Sequence, residues 1–183
     1  MRVRTCLTMI TLCGALLPRS AAADTLVSPF VGITFGGDAP VKAKTAGGSI
    51  TWFGRSAALE IEIAQTPHFF GKAFDSGNVT TFTGSFVVGG NTDGKGVKPY
   101  GLVGAGVVRT DVALSGLVQD VHYNNFGVAI GGGINALFTD HLGVRGDLRY
   151  YRRLQSPSAS GIIPVADTFD YLRFTVGFSV YYW

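Results

Sequence analysis

The chain has 183 residues, with 15 Lys and Arg against 12 Asp and Glu, and only two cysteines. That length suits a single domain, and a formal charge of +3 is too small for a basic nucleic-acid face. Past the first 23 residues no apolar run reaches the 18 or so residues of a membrane-spanning helix.

The N-terminal segment reads as an export signal. Arg2 and Arg4 supply the positive region, Cys6 to Leu17 the apolar stretch, and Pro18 ends it before Ala21-Ala22-Ala23. Cleavage is expected after Ala23, which leaves residues 24–183 as the domain. Cys13 is a poor lipidation site, because Ile10-Thr11-Leu12 before it lacks the small neighbour such sites use. Removing 23 of 183 residues leaves 160, and both cysteines go with them. The mature chain therefore has no disulfide, thiol nucleophile or cysteine metal site. Arg2, Arg4 and Arg19 also leave, so 12 basic residues face 12 acidic ones. The sequence pI of about 9.0 belongs largely to the removed segment.

Beyond residue 24 the period is two. Taken in order, the expected strands are Leu26–Phe35, Ala46–Phe53, Ala58–Ile63, Asn78–Val88, Lys98–Arg109, Tyr123–Leu137, Leu142–Arg152 and Phe169–Trp183. In the third, Leu59, Ile61 and Ile63 alternate with Glu60 and Glu62. In the seventh, Leu142, Val144, Leu148 and Tyr150 alternate with Arg145, Asp147, Arg149 and Tyr151. In the last, Leu172, Phe174, Val176, Phe178, Val180 and Tyr182 alternate with Arg173, Thr175, Gly177 and Ser179. Each strand is near the length a tilted membrane strand needs. Tight connections at 54–57 and 138–141, and a turn-rich one at 89–97, fall on one rim. Longer ones at 36–45, 65–77, 110–122 and 153–168 fall on the other. The fold class is all-β, an antiparallel up-and-down barrel of eight strands.

Alternation by itself fits both a soluble barrel and one turned inside out. Three features favour the membrane. Aromatics gather near strand ends: Trp52, Tyr100, Phe138, Tyr182 and Trp183 at the short-turn rim, and Tyr123, Phe126, Tyr150, Tyr151, Phe169 and Tyr171 toward the other. Two interfacial girdles are expected from such residues. The sequence stops on its last alternating strand. Glycines at 101, 104, 106, 127 and 131–133 sit inside strands, where they relieve crowding in a small, coiled barrel.

Pro99 to Gly106, Phe126 to Asn135, Val144 to Arg152 and the terminal strand together resemble the OmpA/opacity-type outer-membrane β-barrel family. The resemblance covers residues 24–183. It implies an outer-membrane location, contact with membrane lipid and lipopolysaccharide, delivery to the barrel assembly machinery, and a monomer. Gly177, Val180 and Tyr182 fit that family's C-terminal assembly signal, with Trp183 as one extra residue. No nucleic-acid partner and no cofactor are expected.

With apolar residues toward lipid, Glu60, Glu62, Arg109, Arg145, Asp147, Arg149 and Arg173 are expected to point inward. Side chains fill an eight-stranded barrel, so these charges should pair. A structural ion-pair plug is the leading reading, and a narrow polar conduit the second. The three histidines, His68, His122 and His141, offer little chemistry. A lipid A hydrolase built on His122 with Ser115, Asp120 or Glu62 lacks the His-x-Ser pairing a deacylase would carry. A soluble periplasmic barrel is the remaining alternative. The aromatic stretch Pro67–Phe74 is expected at the outer rim, and Lys42, Lys44, Lys72, Arg152 and Arg153 lie where they could meet lipid phosphates.

Overall fold

A computed structural model describes residues 24–37, 39, 42–54, 57–67, 69, 76–90, 95–113, 120–154 and 170–182, apart from the side chains at 76–77, 111–113 and 120–124. Residues 1–23, His68, residues 70–74, Ser115, Phe169 and Trp183, and the side chains of Asp120, His122 and Tyr123, lie outside the described set.

The period-two segments form eight strands: β1 (Asp24–Phe35), β2 (Ala43–Phe53), β3 (Ala57–Thr66), β4 (Ser76–Gly89), β5 (Gly96–Ala113), β6 (Asp120–Leu137), β7 (Leu142–Arg153) and β8 (Asp170–Tyr182). Each pairs antiparallel with its neighbour in sequence, and β1 pairs with β8 to close the barrel. Closure satisfies the backbone without an open edge, which a lipid environment demands.

The register fixes the tilt. From Thr25, successive partners are Trp52, Leu59, Phe86, Val103, Ile130, Tyr150 and Leu172, and the circuit returns to β1 at Phe35, ten residues higher. Eight strands with a stagger of ten tilt by about 40°.

The barrel is inside out. Every strand turns large apolar side chains outward, among them Val31, Ile50, Ile61, Phe82, Val103, Ile130, Leu148 and Phe178, the last 71% exposed. In water each would forfeit roughly half of the about 1.5–3 kcal/mol that full burial gives; in lipid the same surface is solvated. The inward positions of β8 are Tyr171, Arg173, Thr175, Gly177, Ser179 and Tyr181, all buried.

The connection expected at 110–122 is shorter than its composition suggests. β5 runs on to Ala113 and β6 begins at Asp120, and the two pair to their ends. Thr110, Val112, Val121 and Tyr123 continue the β-forming pattern, and the hairpin supplies its own hydrogen bonds beyond the last β6–β7 pair, Gly127 with Arg153. At the opposite rim Gly89 and Gly90, with φ of 87° and 67°, open the β4–β5 turn in a conformation that side chains resist.

Candidate functional site

Three layers fill the lumen. Near the short-turn rim lies an apolar cluster of Leu26, Phe53, Ala58, Val87, Tyr100, Leu102, Leu137 and Tyr181. Toward the opposite rim lies a second, of Phe69, Val79, Val108, Ala129, Tyr151 and Tyr171, with Ala39 packed on it. Between them sit Glu60 and Glu62 from β3, Arg145, Asp147 and Arg149 from β7, and Arg173 from β8. All six are at most 5% exposed.

These charges reach across the barrel. Glu60 receives Arg145 Nη1 at 2.5 Å on one carboxylate oxygen and Arg149 Nη2 at 2.8 Å on the other. Thr51 donates to it at 2.9 Å. Glu62 pairs with Arg149 Nη1 at 2.9 Å and with Arg173, and accepts from the Tyr151 hydroxyl at 3.0 Å. Asp147 takes Arg149 through Nε at 2.7 Å and Nη2 at 2.8 Å, Arg145 Nη2 at 3.0 Å, and the Tyr100 hydroxyl at 2.6 Å. Tyr100 in turn accepts from Arg145 Nε at 2.6 Å.

Two rings complete the solvation. The Arg145 guanidinium lies 4.6 Å from the Tyr100 centroid, and Arg173 lies 4.6 Å from that of Tyr151. Arg173 also donates to Thr81 at 3.1 Å. Three carboxylates thus meet three guanidiniums, each touching more than one partner. That arrangement offsets a desolvation cost of several kcal/mol per ion.

The glycines of β6 make room for it. Gly131 pairs with Arg149 and Gly133 with Asp147. A Cβ on Gly133 would fall 2.5 Å from the Tyr100 hydroxyl, and one on Gly131 would fall 3.0 Å from Arg149 Cγ.

Above the ions, Tyr151 stacks on Tyr171 at 5.0 Å, and Phe69 meets Tyr171 edge-on at 5.4 Å. Phe69 comes from the β3–β4 connection and has no exposed surface. A cavity of about 10 Å³, with Thr83, Val108, Tyr151 and Tyr171 on its wall, has room for about one water molecule.

Of the seven residues expected inside, six meet in this layer and Arg109 does not. It is exposed on the outward face, with Val108 buried beside it. The reason is its height. Ile63, Phe82, Val107 and Phe126 are register partners on the outward face, and the next outward set up includes Gln65, Thr80 and Arg109. Arg109 therefore stands where the apolar belt gives way to polar residues, and its charge needs no interior place.

Three of the expected girdle aromatics are also corrected: Tyr100, Tyr151 and Tyr171 are buried in the lumen. Parity carried the signal. Tyr151 and Tyr171 share the inward parity of Arg149 and Arg173, and Tyr100 is out of step with outward Val103 and Val107. Trp52, Phe138 and Tyr182 do face outward. Gly177 faces inward against Phe30, and Val180 and Tyr182 face out. His141 lies in the β6–β7 connection, its Nδ1 3.4 Å from the Tyr181 carbonyl oxygen. Among the described residues, no three His, Cys, Asp or Glu are grouped to hold a metal ion.

A closed eight-stranded barrel with an apolar exterior and paired charges inside defines a small integral outer-membrane barrel protein. The chain belongs to the outer membrane protein beta-barrel domain family, which it matches over residues 11–181, and it is an outer-membrane protein. Its fold is that of several solved structures. Neisserial surface protein A is 13% identical, with 87% of this chain and 97% of that one covered and a TM-score of 0.66. The N-terminal β-barrel domain of Pseudomonas aeruginosa OprF is 17% identical, with 87% and 98% covered and a TM-score of 0.57. Ail, the attachment invasion locus protein of Yersinia pestis, solved with the heparin analogue sucrose octasulfate, is 15% identical, with 88% and 100% covered and a TM-score of 0.57. No curated protein sequence matches the chain.

Proposed function

We propose that this is a sealed, monomeric, non-enzymatic barrel whose work is structural and surface-directed. It contacts lipopolysaccharide in the outer leaflet and presents its long-loop rim to the exterior. The carrying observation is the layered lumen, in which the ionic layer lies between two apolar clusters. A conduit needs a continuous polar path, and both clusters interrupt one. The carboxylates are occupied by arginines and hydroxyls, which leaves them no proton to move for a substrate.

Residues 1–23 serve as the cleaved export signal, and Gly177, Val180, Tyr182 and Trp183 as the recognition strand for the assembly machinery. N-terminal sequencing of the membrane-extracted protein should begin at Asp24.

Planar-bilayer recording tests the sealed lumen. The refolded protein should leave the bilayer silent, and Phe69→Ala should stay silent too, because the ionic layer and the lower cluster remain. Stable unitary openings from the wild-type protein would reject the reading in favour of a narrow pore.

A further inference from the structure

Among the described side chains, the outward face of the strands carries its charge at one height. A stagger of ten over eight strands means that each sideways step climbs about one and a quarter residues. On that scale the outward side chains from Thr25 up to Gln65 carry no charge: they are apolar or small residues, with Trp52 low and Tyr150 high. At a tilt of about 40° this belt is roughly 21 Å tall, close to the about 25 Å expected of a lipid-facing band.

The described outward-facing cations on the strands stand at its upper edge. Lys44 on β2, Arg152 on β7 and Arg109 on β5 lie about nine to eleven residues above Thr25 by the same register. All three are exposed. The outward acid at this height among the described side chains is Asp170, the register partner of Arg152. The cations are two or three strands apart around the circumference, too far to share one small ligand. They are spaced to meet separate lipid molecules in the surrounding shell.

We propose that Lys44, Arg109 and Arg152 form a cationic girdle that binds the phosphates of lipid A in the outer leaflet. The proposal rests on the lipopolysaccharide-contacting reading above and names the side chains and the chemical group involved. Lipid A presents phosphates at the boundary between acyl chains and sugar. Guanidinium and ammonium groups at that depth reach them while their aliphatic stems lie along the belt. Each cation takes a place that a divalent cation otherwise fills between neighbouring lipid A molecules.

The test is lipid binding by the full mature chain in detergent, read by native mass spectrometry. Three probes are titrated: bisphosphorylated lipid A, the same lipid A with its phosphates removed, and phosphatidylglycerol. The wild type should retain bisphosphorylated lipid A at least about tenfold better than Lys44→Gln/Arg109→Gln/Arg152→Gln. Dephosphorylated lipid A should bind both proteins equally weakly. Lys95→Gln/Lys98→Gln, at the opposite rim, should bind like the wild type. Heat-dependent gel mobility verifies that each variant is folded.

Equal retention by the folded triple variant would overturn the girdle while leaving the outer-membrane reading intact. Equal retention of phosphatidylglycerol by the wild type would overturn the assignment to lipid A. Loss of lipopolysaccharide contact altogether, with the native protein free of lipid A when extracted, would sink the underlying reading as well.

Discussion

Replacing Arg149 with Met is the severest single test of the lumen. Arg149 touches all three acids: Glu60 at 2.8 Å, Glu62 at 2.9 Å and Asp147 at 2.7 Å. Methionine keeps much of the stem's volume and removes the charge. Three carboxylates then face two guanidiniums, with the site about 2% exposed and water excluded. Breaking a buried pair by deleting one partner costs about 3–5 kcal/mol, and a hub with three partners belongs at the upper end. Restoring parity should return part of that. In Arg149→Met/Glu60→Gln, Glu62 keeps Arg173 and Asp147 keeps Arg145, so the double variant should be more stable than Arg149→Met by roughly 2 kcal/mol. Urea unfolding in lipid vesicles, followed by tryptophan fluorescence and heat-dependent gel mobility, measures both. An Arg149→Met variant within about 1 kcal/mol of wild type, or a double variant less stable than the single, would refute a charge-balanced lumen.

Other substitutions probe other layers. Gly133→Ala places a Cβ 2.5 Å from the Tyr100 hydroxyl and should cost about 1–3 kcal/mol, whereas Gly84→Ala, with nothing within 4 Å of its Cβ, should leave the urea midpoint unchanged. Tyr100→Phe removes a hydroxyl that accepts from Arg145 and donates to Asp147, and should cost about 1.5–3 kcal/mol by the same unfolding assay. Ile61→Arg, in mid-belt, should lower vesicle-inserted stability by about 2–4 kcal/mol, while Gln65→Arg, at the belt's upper edge, should cost about 0–1 kcal/mol. Equal costs at those two sites would place the membrane wrongly.

Much of the barrel was legible because lipid-facing strands must alternate. Glu60 and Glu62, Arg145 through Arg149, and Arg173 all sit between apolar neighbours, and one inference about direction places them inside together. Arg109 shares the outward parity of Val103 and Val107, and height has to be added to parity only to see that a charge is tolerated there, where the apolar file is ending. Height comes from register, which no single strand contains. The inward tyrosines were obscured for a related reason. Aromatics at strand ends suit an interface, and only the company of Arg149 and Arg173 on the same parity marks Tyr151 and Tyr171 as lumen residues. Phe69 was legible only as part of an aromatic stretch at the outer rim; which of its rings turns inward depends on what lies beneath the connection.

The acids of the ionic layer stand on β3, whereas its arginines stand on β7 and β8. Partners are separated by 85, 89 and 111 residues. Hairpin hydrogen bonds accumulate one strand at a time, and a partial sheet already enjoys most of them. The ionic contacts do not accumulate that way. A sheet that stops at β6 holds Glu60 and Glu62 with none of their guanidiniums, so desolvating its inner face is penalised until the last hairpin arrives. The late arginines therefore act as proofreaders of completion: they make the finished cylinder, and no shorter intermediate, the form that can leave water behind.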